Sequence, residues 1–393
     1  MNPRKLGILS AAHFFTDLNL GSLPAVLPFL IAAYGFDYRD VAGLMFASSC
    51  LSTVVQPVFG WLADRSSKKV FMGGGLLLTG LSFGAVGFLE NYWAIFAAVI
   101  LSGVGSAVFH PQAAKLTNLI SGEKRGTGIS VFSVGGNGGF GVGPLLAAAL
   151  ITAFGLKGLA FYGVCSLLIG IPLLIYGPRM TPAVAPQSVQ AKKAPAAGTG
   201  GNDWHAFGLL TVFIVLRSIC YTGVLSFLPL YCIHGLGASP SAASAAISVI
   251  SFAGIICTFF GGPLADRFGC VRMILVGSLL LVPATALAVF PESLIWVYAM
   301  LIPISLAFNI SYSPFVVLGQ TYLSKSVGFA SGVTLGISFS AGGIVAPALG
   351  WYGDIHGIAA TMGLIVGLSA LAALSALLLK QPAGSAEKTV SKA

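Results

Sequence analysis

Long apolar runs, separated by short polar segments, follow one another along nearly the whole chain. Crossing ~30 Å of hydrocarbon takes about 20 helical residues, and a window of that length predicts twelve membrane-spanning helices. The first six lie near residues 7–33, 40–63, 70–89, 93–114, 127–152 and 158–177. The other six lie near residues 207–231, 240–262, 271–290, 294–317, 327–350 and 358–379. The pattern therefore predicts an all-α integral membrane protein.

The segment between the sixth and seventh spans has a different composition. Residues 178–206 are rich in Pro, Ala, Gly, Gln and Lys and show no apolar periodicity, which is typical of a flexible linker. The chain is thus predicted to have an N-terminal six-helix half, 1–177, and a C-terminal half, 207–393. The linker and a short tail at the end of the second half are predicted to be cytoplasmic.

The two halves repeat one another. Residues 60–65 after the second span, Gly-Trp-Leu-Ala-Asp-Arg, match residues 262–267 after the eighth span, Gly-Pro-Leu-Ala-Asp-Arg. Three prolines also recur at separations of 201 to 203 positions: Pro28 with Pro229, Pro111 with Pro314 and Pro144 with Pro347. Because each half has an even number of spans, both repeats share one orientation. Two six-helix bundles related by a pseudo-twofold axis are predicted, with a substrate site between them at mid-membrane.

The composition agrees with a protein that is embedded in lipid. Of the residues, 56% are hydrophobic and only 8% are charged, whereas a soluble domain carries about 25% charged residues. The 6 cysteines lie in or at the ends of apolar spans, without a Cys-x-x-Cys pair or clustered His and Cys ligands. Free thiols are therefore expected, and neither a structural metal nor a cofactor.

The positive charges indicate topology rather than a polyanionic partner. The formal net charge is +9, but the Lys and Arg residues occupy short loops instead of one face, so no nucleic acid is expected to bind. With the N-terminus in the cytoplasm, nearly all of the 20 Lys and Arg residues fall on the cytoplasmic side. Only Arg39 and Lys157 fall outside, and Arg217 lies within a span. The positive-inside rule therefore predicts that both termini are cytoplasmic.

Two opposite charges lie deep within predicted spans, where ionisable groups are costly and functional by default. Asp17 in the first span and Arg217 in the seventh occupy corresponding places in the two repeats, ~15 Å from the cytoplasmic end at 1.5 Å per residue. They are predicted to form opposite walls of one central cavity. A guanidinium there suits a carboxylate, phosphate or phosphonate. The alternative is a permanent salt bridge with Asp17 that locks the halves together.

Two histidines accompany Asp17. His13 lies four residues before it, so both side chains share one helix face, and His110 in the fourth span lies at a similar depth. Because imidazoles titrate near neutrality, Asp17, His13 and His110 are predicted to form the proton-coupling set. The alternative is that each histidine only hydrogen-bonds a neighbouring carbonyl or hydroxyl group.

Other polar side chains within the spans could complete a substrate site. These candidates are Asn137, Tyr221, Asn309, Tyr312 and Ser313. The last three share one face of the tenth span through their spacing. Hydrogen bonds between packed helices would explain such residues equally well.

A glycine-rich run, residues 135–144, suggests a nucleotide-binding loop at first sight. However, no strand precedes the run, no Gly-Lys-Ser/Thr follows it, and it lies inside a predicted span. Gly139, Gly143 and Pro144 are therefore predicted to serve close helix packing or a hinge.

Several of these motifs resemble the major facilitator superfamily. Residues 60–69 are similar to its cytoplasmic signature between the second and third helices, and residues 262–272 resemble a second copy. The resemblance implies a conformational latch that joins the cytoplasmic ends in the outward-open state, formed by Asp64, Arg65, Asp266 and Arg267. A carboxylate at such a place can cap the N-terminus of a neighbouring helix.

A narrower resemblance points to export. Residues 139–144, Gly-Phe-Gly-Val-Gly-Pro, resemble the antiporter motif of the fifth helix. Residues 12–17, 108–111 and 133–148 are similar to the fosmidomycin-resistance group of drug exporters. This resemblance implies the major facilitator fold, a bacterial cytoplasmic (inner) membrane, and drug efflux against a proton gradient.

These observations together predict a secondary transporter that works by alternating access. The expected activity is proton-coupled antiport that exports a small organic anion or drug, with a phosphonate such as fosmidomycin as a candidate. The alternative is a symporter that imports a small organic anion with protons. The predicted partners are the substrate, protons and the bilayer, and the chain is expected to act as a monomer.

The sequence lacks the residues that other classes of membrane protein require. A membrane hydrolase would need a nucleophile paired with a base, or a metal cluster at mid-membrane, so the chain is not expected to be an enzyme. A channel would need a continuous polar pore lining, and a receptor would need an appended signalling domain.

Overall fold

A computed structural model describes residues 1–65, 70–180 and 201–382, and within these ranges it contains helices and no strand. The first half has helices α1 (Pro3–Tyr34), α2 (Tyr38–Arg65), α3 (Val70–Ala85), α4 (Tyr92–Ser121), α5 (Arg125–Phe154) and α6 (Ala160–Met180). The second half has helices α7 (Trp204–Leu230), α8 (Pro240–Phe268), α9 (Cys270–Val289), α10 (Leu294–Ile310), α11 (Tyr312–Tyr322), α12 (Val327–His356) and α13 (Ile358–Leu377). Short 3₁₀ turns, Val86–Phe88 and Leu156–Leu159, follow α3 and precede α6.

The predicted transmembrane spans are present as helices. Among the described residues, 11 helical segments are long and apolar enough to cross a membrane, with α10 and α11 together forming one of them. The remaining long helix, α2, has 28 residues and occupies the place of the predicted second span. The all-α membrane fold is confirmed. Most of the predicted linker 178–206, residues 181–200, lies outside the described residues. Helix α6 ends at Met180 and α7 begins at Trp204.

Polar residues at the helix ends set where the helices begin and stop. The Asn2 side chain accepts a hydrogen bond from the Lys5 amide at the start of α1, and Asn91 caps α4 in the same way. Helix α1 ends at Tyr34, and the next residue, Gly35, takes a left-handed conformation with φ of 70° and donates its N–H to Ile31 O. Such caps satisfy backbone groups that a helix leaves unpaired at its ends.

The helices form two compact units. The first contains α1 to α6 except for the segment Lys124–Ser130 at the start of α5, and it includes the segment Ser326–Gly336 at the start of α12. The second contains the remaining parts of α7 to α13 together with Lys124–Ser130. Each unit thus holds the helices of one half and the first turns of a helix from the other half.

The distribution of polarity is that of a protein in lipid. Large apolar side chains such as Trp93, Leu145 and Ile295 are exposed, whereas small polar side chains such as Thr16 and Ser106 are buried. A soluble protein rarely exposes so much contiguous apolar surface. The exposed apolar side chains are therefore available to the bilayer.

The tenth span is interrupted where its counterpart in the first half is continuous. Helix α10 ends at Ile310 and α11 begins at Tyr312, with Ser311 between them. The Ser311 hydroxyl donates to Phe308 O over 3.0 Å. Its counterpart in the first half, α4, runs unbroken over 30 residues. The helical backbone is therefore interrupted in one repeat and continuous in the other. In membranes such breaks persist where neighbouring groups satisfy the freed backbone.

Candidate functional site

Two histidines and a carboxylate meet in the first unit. His13 Nε2 lies 3.1 Å from Asp17 Oδ2, and His110 Nε2 lies 3.1 Å from Asp17 Oδ1. The two Nε2 atoms are themselves 3.0 Å apart. His13 and His110 are only 4% and 7% exposed. We call these three residues the His–Asp cluster, and they are the predicted proton-coupling set brought into mutual contact.

Backbone carbonyls fix the orientation of both imidazoles. His13 Nδ1 lies 2.7 Å from Phe132 O in α5, and His110 Nδ1 lies 2.8 Å from Ser106 O in α4. A carbonyl oxygen only accepts, so we assign a hydrogen to each Nδ1. In a neutral imidazole the other nitrogen is then an acceptor, and each Nε2 presents a lone pair to the cluster.

The inner face of the cluster therefore consists of acceptors alone. Two Nε2 lone pairs and a carboxylate within 3.1 Å of one another repel unless a proton lies among them. One bound proton converts the Nε2 to Nε2 contact into a hydrogen bond and leaves an imidazolium beside the carboxylate. In chemical terms, such an arrangement can bind a proton.

The cluster could also hold a metal ion, because its possible ligand atoms all lie within 4.8 Å of one another. It is the one such group found among the described residues. A shared proton accounts for these contacts without an ion. The expectation that the protein holds no metal stays a prediction.

Arg217 lies in the second unit, on α7, and is 4% exposed. Its Nη2 donates to Phe308 O over 2.7 Å, while its buried Nε has no hydrogen-bond partner in the described part of the chain. Aromatic rings surround the guanidinium carbon at 5.2 to 5.9 Å: those of Tyr221, Phe308, Tyr312 and Phe315. Such rings attract a cation through their negative faces.

The interrupted tenth span supplies the acceptor for Arg217. Phe308 lies in the last turn of α10, where carbonyl groups lack partners within the helix and the helix dipole is negative. Beside Arg217 is a cavity of about 10 Å³, whose lining includes Phe213, Ser278 and Ser311. A volume of this order holds about one water molecule. A carboxylate or phosphonate therefore needs the surrounding rings to move.

The other predicted substrate-binding residues have varied surroundings. Tyr221 and Tyr312 lie beside Arg217. In contrast, Asn309 accepts from the Thr258 hydroxyl over 3.3 Å, and the hydroxyl oxygens of Ser313 and Ser130 are 2.9 Å apart. These two residues thus make the interhelical hydrogen bonds that were the alternative to substrate binding. Asn137 lies on α5 and is half-buried.

The first predicted latch carboxylate caps a helix. Asp64 accepts from the amides of Gly328 and Phe329 at the start of α12, over 2.8 and 2.9 Å. It also pairs with Lys115 Nζ at 2.7 Å. Arg65 lies instead over the Trp61 ring, 3.8 Å from its centre. Lys115 could not be predicted as a partner of Asp64, because nothing in the local sequence pattern links the fourth span to that carboxylate.

Asp266 makes the equivalent cap in the second unit. It accepts from the amides of Gly126 and Thr127 at the start of α5, both over 2.8 Å. The Thr127 hydroxyl adds a third hydrogen bond at 2.6 Å, and Arg267 lies over the Phe268 ring. Both carboxylates thus satisfy amides at a helix N-terminus and oppose the positive end of its dipole.

The fifth helix approaches α1 through glycines. A Cβ added to Gly143 would lie 2.7 Å from Leu18 O, and one added to Gly139 would overlap Phe14 O. Pro144 follows inside the same helix. Gly139 and Gly143 thus pack closely against α1, as predicted. The alternative role of this segment as a hinge stays a prediction.

Comparison with known proteins decides the family. The model of the Major Facilitator Superfamily matches residues 9–347. The chain belongs to the major facilitator superfamily. It is therefore a membrane transporter and not an enzyme, as the sequence predicted.

Related proteins of this superfamily match nearly the whole chain. An uncharacterized MFS-type transporter of Bacillus subtilis, YfnC, is 30% identical over 94% of this chain and 91% of its own. The fosmidomycin resistance protein of Escherichia coli is 27% identical over 89% of this chain and 86% of its own. The resemblance to the fosmidomycin-resistance group is thereby confirmed.

Solved structures of the superfamily share the fold. The outward conformation of the transporter FucP superposes with a TM-score of 0.77 at 16% identity, covering 96% of this chain and 98% of FucP. The human organic anion transporter MFSD10 gives 0.73 at 18% identity, covering 96% and 100%. The major facilitator fold is confirmed. Asp17 and Arg217 belong to different units, and their place on opposite walls of one cavity stays a prediction.

Proposed function

We propose that this transporter is a proton-coupled antiporter that exports a small organic anion or drug from the bacterial cytoplasm. The observation that carries the proposal is the His–Asp cluster, in which two buried imidazoles and a half-buried carboxylate need a proton among them. The fosmidomycin resistance protein, 27% identical, supports a phosphonate as the candidate substrate. The proton gradient supplies the energy, and no cofactor is required.

The proton-coupling set, Arg217 and the two capping carboxylates have separate roles in this cycle. His13, Asp17 and His110 carry the proton through the membrane interior. Arg217 holds the anion. Among the described residues it makes one hydrogen bond and its Nε makes none, so donors remain for an oxyanion. The caps made by Asp64 and Asp266 hold the starts of α12 and α5, and they must break and re-form as the bundles rock.

Flux driven by a pH gradient tests the proposal in proteoliposomes. Antiport predicts that an acidic interior drives accumulation of labelled fosmidomycin or benzoate, and that the cation ethidium is not accumulated. The Asp17→Asn protein should lose this flux to the level of protein-free vesicles. The matched control is Asp354→Asn, which makes the same change at an exposed carboxylate of α12 and should retain the flux.

Other outcomes contradict the proposal. Accumulation driven by an acidic exterior would establish the alternative, proton-coupled import of an organic anion. Accumulation of ethidium alone would exclude an anionic substrate, and full activity of Asp17→Asn would exclude the assigned proton site.

A further inference from the structure

Gly136 in α5 faces the His–Asp cluster with no side chain. A Cβ added there would lie 2.5 Å from His13 Nε2 and 2.7 Å from Asp17 Oδ2. In proteins, a Cβ atom essentially never lies within 3.0 Å of a non-bonded heavy atom. Any other residue at this position must therefore displace the imidazole or the carboxylate, and the atoms displaced are those that face the shared proton.

Helix α5 also orients the same imidazole. The Phe132 carbonyl accepts from His13 Nδ1 over 2.7 Å, and Phe132 lies one turn before Gly136 on the same helix face. The ring of Phe132 stacks on that of His13 with centres 4.0 Å apart. The fifth helix thus fixes one edge of the imidazole and leaves space at the other.

We propose that Gly136 is a positioning residue of the proton site. Its missing side chain lets His13 Nε2 reach His110 Nε2 and Asp17 together, so that the cluster takes up one proton as a unit. The importance of Gly136 for transport rests on the proposed function. The shared proton itself is measurable without any substrate.

Neighbouring glycines of α5 meet different atoms. A Cβ on Gly135 or Gly139 would overlap the α1 backbone, at Ser10 O and Phe14 O. A Cβ on Gly138 would make ordinary contact with the Phe14 ring at 3.5 Å. Gly136 differs from these because the atoms in its path belong to the cluster itself.

The charged groups that face the cluster come from two helices. Helix α1 contributes His13 and Asp17, and α4 contributes His110; the charges acting on Asp17 are those of the two histidines. Among the described residues, α5 contributes a carbonyl and a glycine at this contact and no charge. A change in the titration of the cluster therefore reports the geometry of these three side chains.

Titration of the full-length protein in detergent, followed by ¹⁵N NMR of its 5 histidines, tests the proposal. His13→Gln and His110→Gln assign the signals. In wild type, His13 and His110 should titrate together and take up one proton between them. In Gly136→Ala, the two histidines should titrate independently, each taking up its own proton, because the Nε2 contact is broken.

Two further variants distinguish an effect on the position of the His13 side chain from an effect on the packing of α5 against α1. Gly138→Ala makes the same change two residues away and should titrate as wild type does. Gly139→Ala should lower the melting temperature, since it overlaps backbone, yet keep the coupled titration. The proposal is overturned if Gly136→Ala titrates as wild type or if Gly138→Ala shifts equally.

A second measurement does not depend on the folding of Gly136→Ala. If His13 titrates identically in wild type and in His110→Gln, the two residues share no proton and the proposal fails. Failure of the proposed antiport would look different, since pH-driven flux would be missing from wild type while the coupled titration persisted.

Discussion

At the scale of single residues, the transporter depends on donors and acceptors that are set by backbone carbonyls. Phe132 O and Ser106 O hold the Nδ1 atoms of His13 and His110, and this leaves both Nε2 atoms as bases. The same side chains could have served only as hydrogen-bonding partners, the alternative left by the sequence. In the structure they make those carbonyl bonds and still face Asp17, so one role does not exclude the other.

Replacing His13 by Asn separates these two roles. The Asn amide can take the place of Nδ1 and donate to Phe132 O, but nothing replaces Nε2. We expect His13→Asn to melt within a few degrees of wild type and to lose about 100-fold or more of its pH-driven flux, the range for removal of a proton-transfer group. A variant that unfolds, or one that keeps its pH-driven flux, would contradict this assignment.

Arg217 should distinguish substrates by charge. Removing its guanidinium deletes charge-assisted hydrogen bonds worth about 1.5–3 kcal/mol each, so Arg217→Ala should weaken anion binding by about 10- to 100-fold. Neutral compounds should be affected much less. Inhibition of labelled flux by benzoate and by benzamide, a neutral compound of similar size, provides the comparison. Equal losses for both would assign Arg217 a structural role.

The sequence predicted the His–Asp cluster but not the surroundings of Arg217. The spacing of His13 and Asp17 follows from helix geometry, and the depth of His110 follows from the span pattern. The partner of Arg217 is a backbone carbonyl, Phe308 O, whose availability depends on an interruption at Ser311. Residue type does not encode such an acceptor, so this contact could not be predicted from the sequence.

At the scale of helices, α1 and α5 approach each other so closely that their backbones meet at glycines. A Cβ on Gly139 would overlap Phe14 O, whereas Gly141 has no atom within 4 Å of an added Cβ. The glycine-rich run is therefore divided between a packed face and an open face of one helix.

The two faces should respond oppositely to alanine. Gly139→Ala forces the helices apart and should cost about 1–3 kcal/mol, the usual price of overpacking. Gly141→Ala has space and gains helix propensity, by up to about 1 kcal/mol, so it should melt at or slightly above the wild-type temperature. Thermal melting in one detergent compares them, and equal effects of the two substitutions would refute the packing role of Gly139.

At the scale of the whole molecule, the two repeats place equivalent carboxylates on equivalent helix starts, but their partners differ. Asp64 adds an ion pair with Lys115 to its two amide bonds. Asp266 is exposed and, within the described ranges, adds the Thr127 hydroxyl and no ion pair. The repeat in the sequence predicted both carboxylates. The repeat did not predict the ion pair of Asp64, because Lys115 comes from another helix of the same unit.

The two caps should therefore differ in strength. Asp64→Asn should destabilise the protein by about 1–3 kcal/mol, since it leaves Lys115 without its carboxylate. Asp266→Asn should cost about 1 kcal/mol or less, as expected for an exposed site. Melting temperatures of both variants, alone and with Lys115→Met, give the comparison. A larger loss for Asp266→Asn would contradict the assigned asymmetry.

The fold could be predicted from the sequence almost completely, since span length and internal repetition are properties of the chain pattern. Helix ends were predicted less well. Helix α4 extends to Ser121 and α12 to His356, beyond the predicted 114 and 350, because hydropathy marks the apolar part of a span and not its polar helical ends.

The central claim is that a proton bound at the His–Asp cluster leaves in exchange for substrate. The most direct measurement records both fluxes in the same proteoliposomes, with pyranine trapped inside and labelled fosmidomycin added outside. We predict that an acidic interior becomes more alkaline as the drug enters, with one proton leaving for each molecule, and that Asp17→Asn shows neither flux. Drug entry without alkalinisation, or coupled fluxes that persist in Asp17→Asn, would contradict the account.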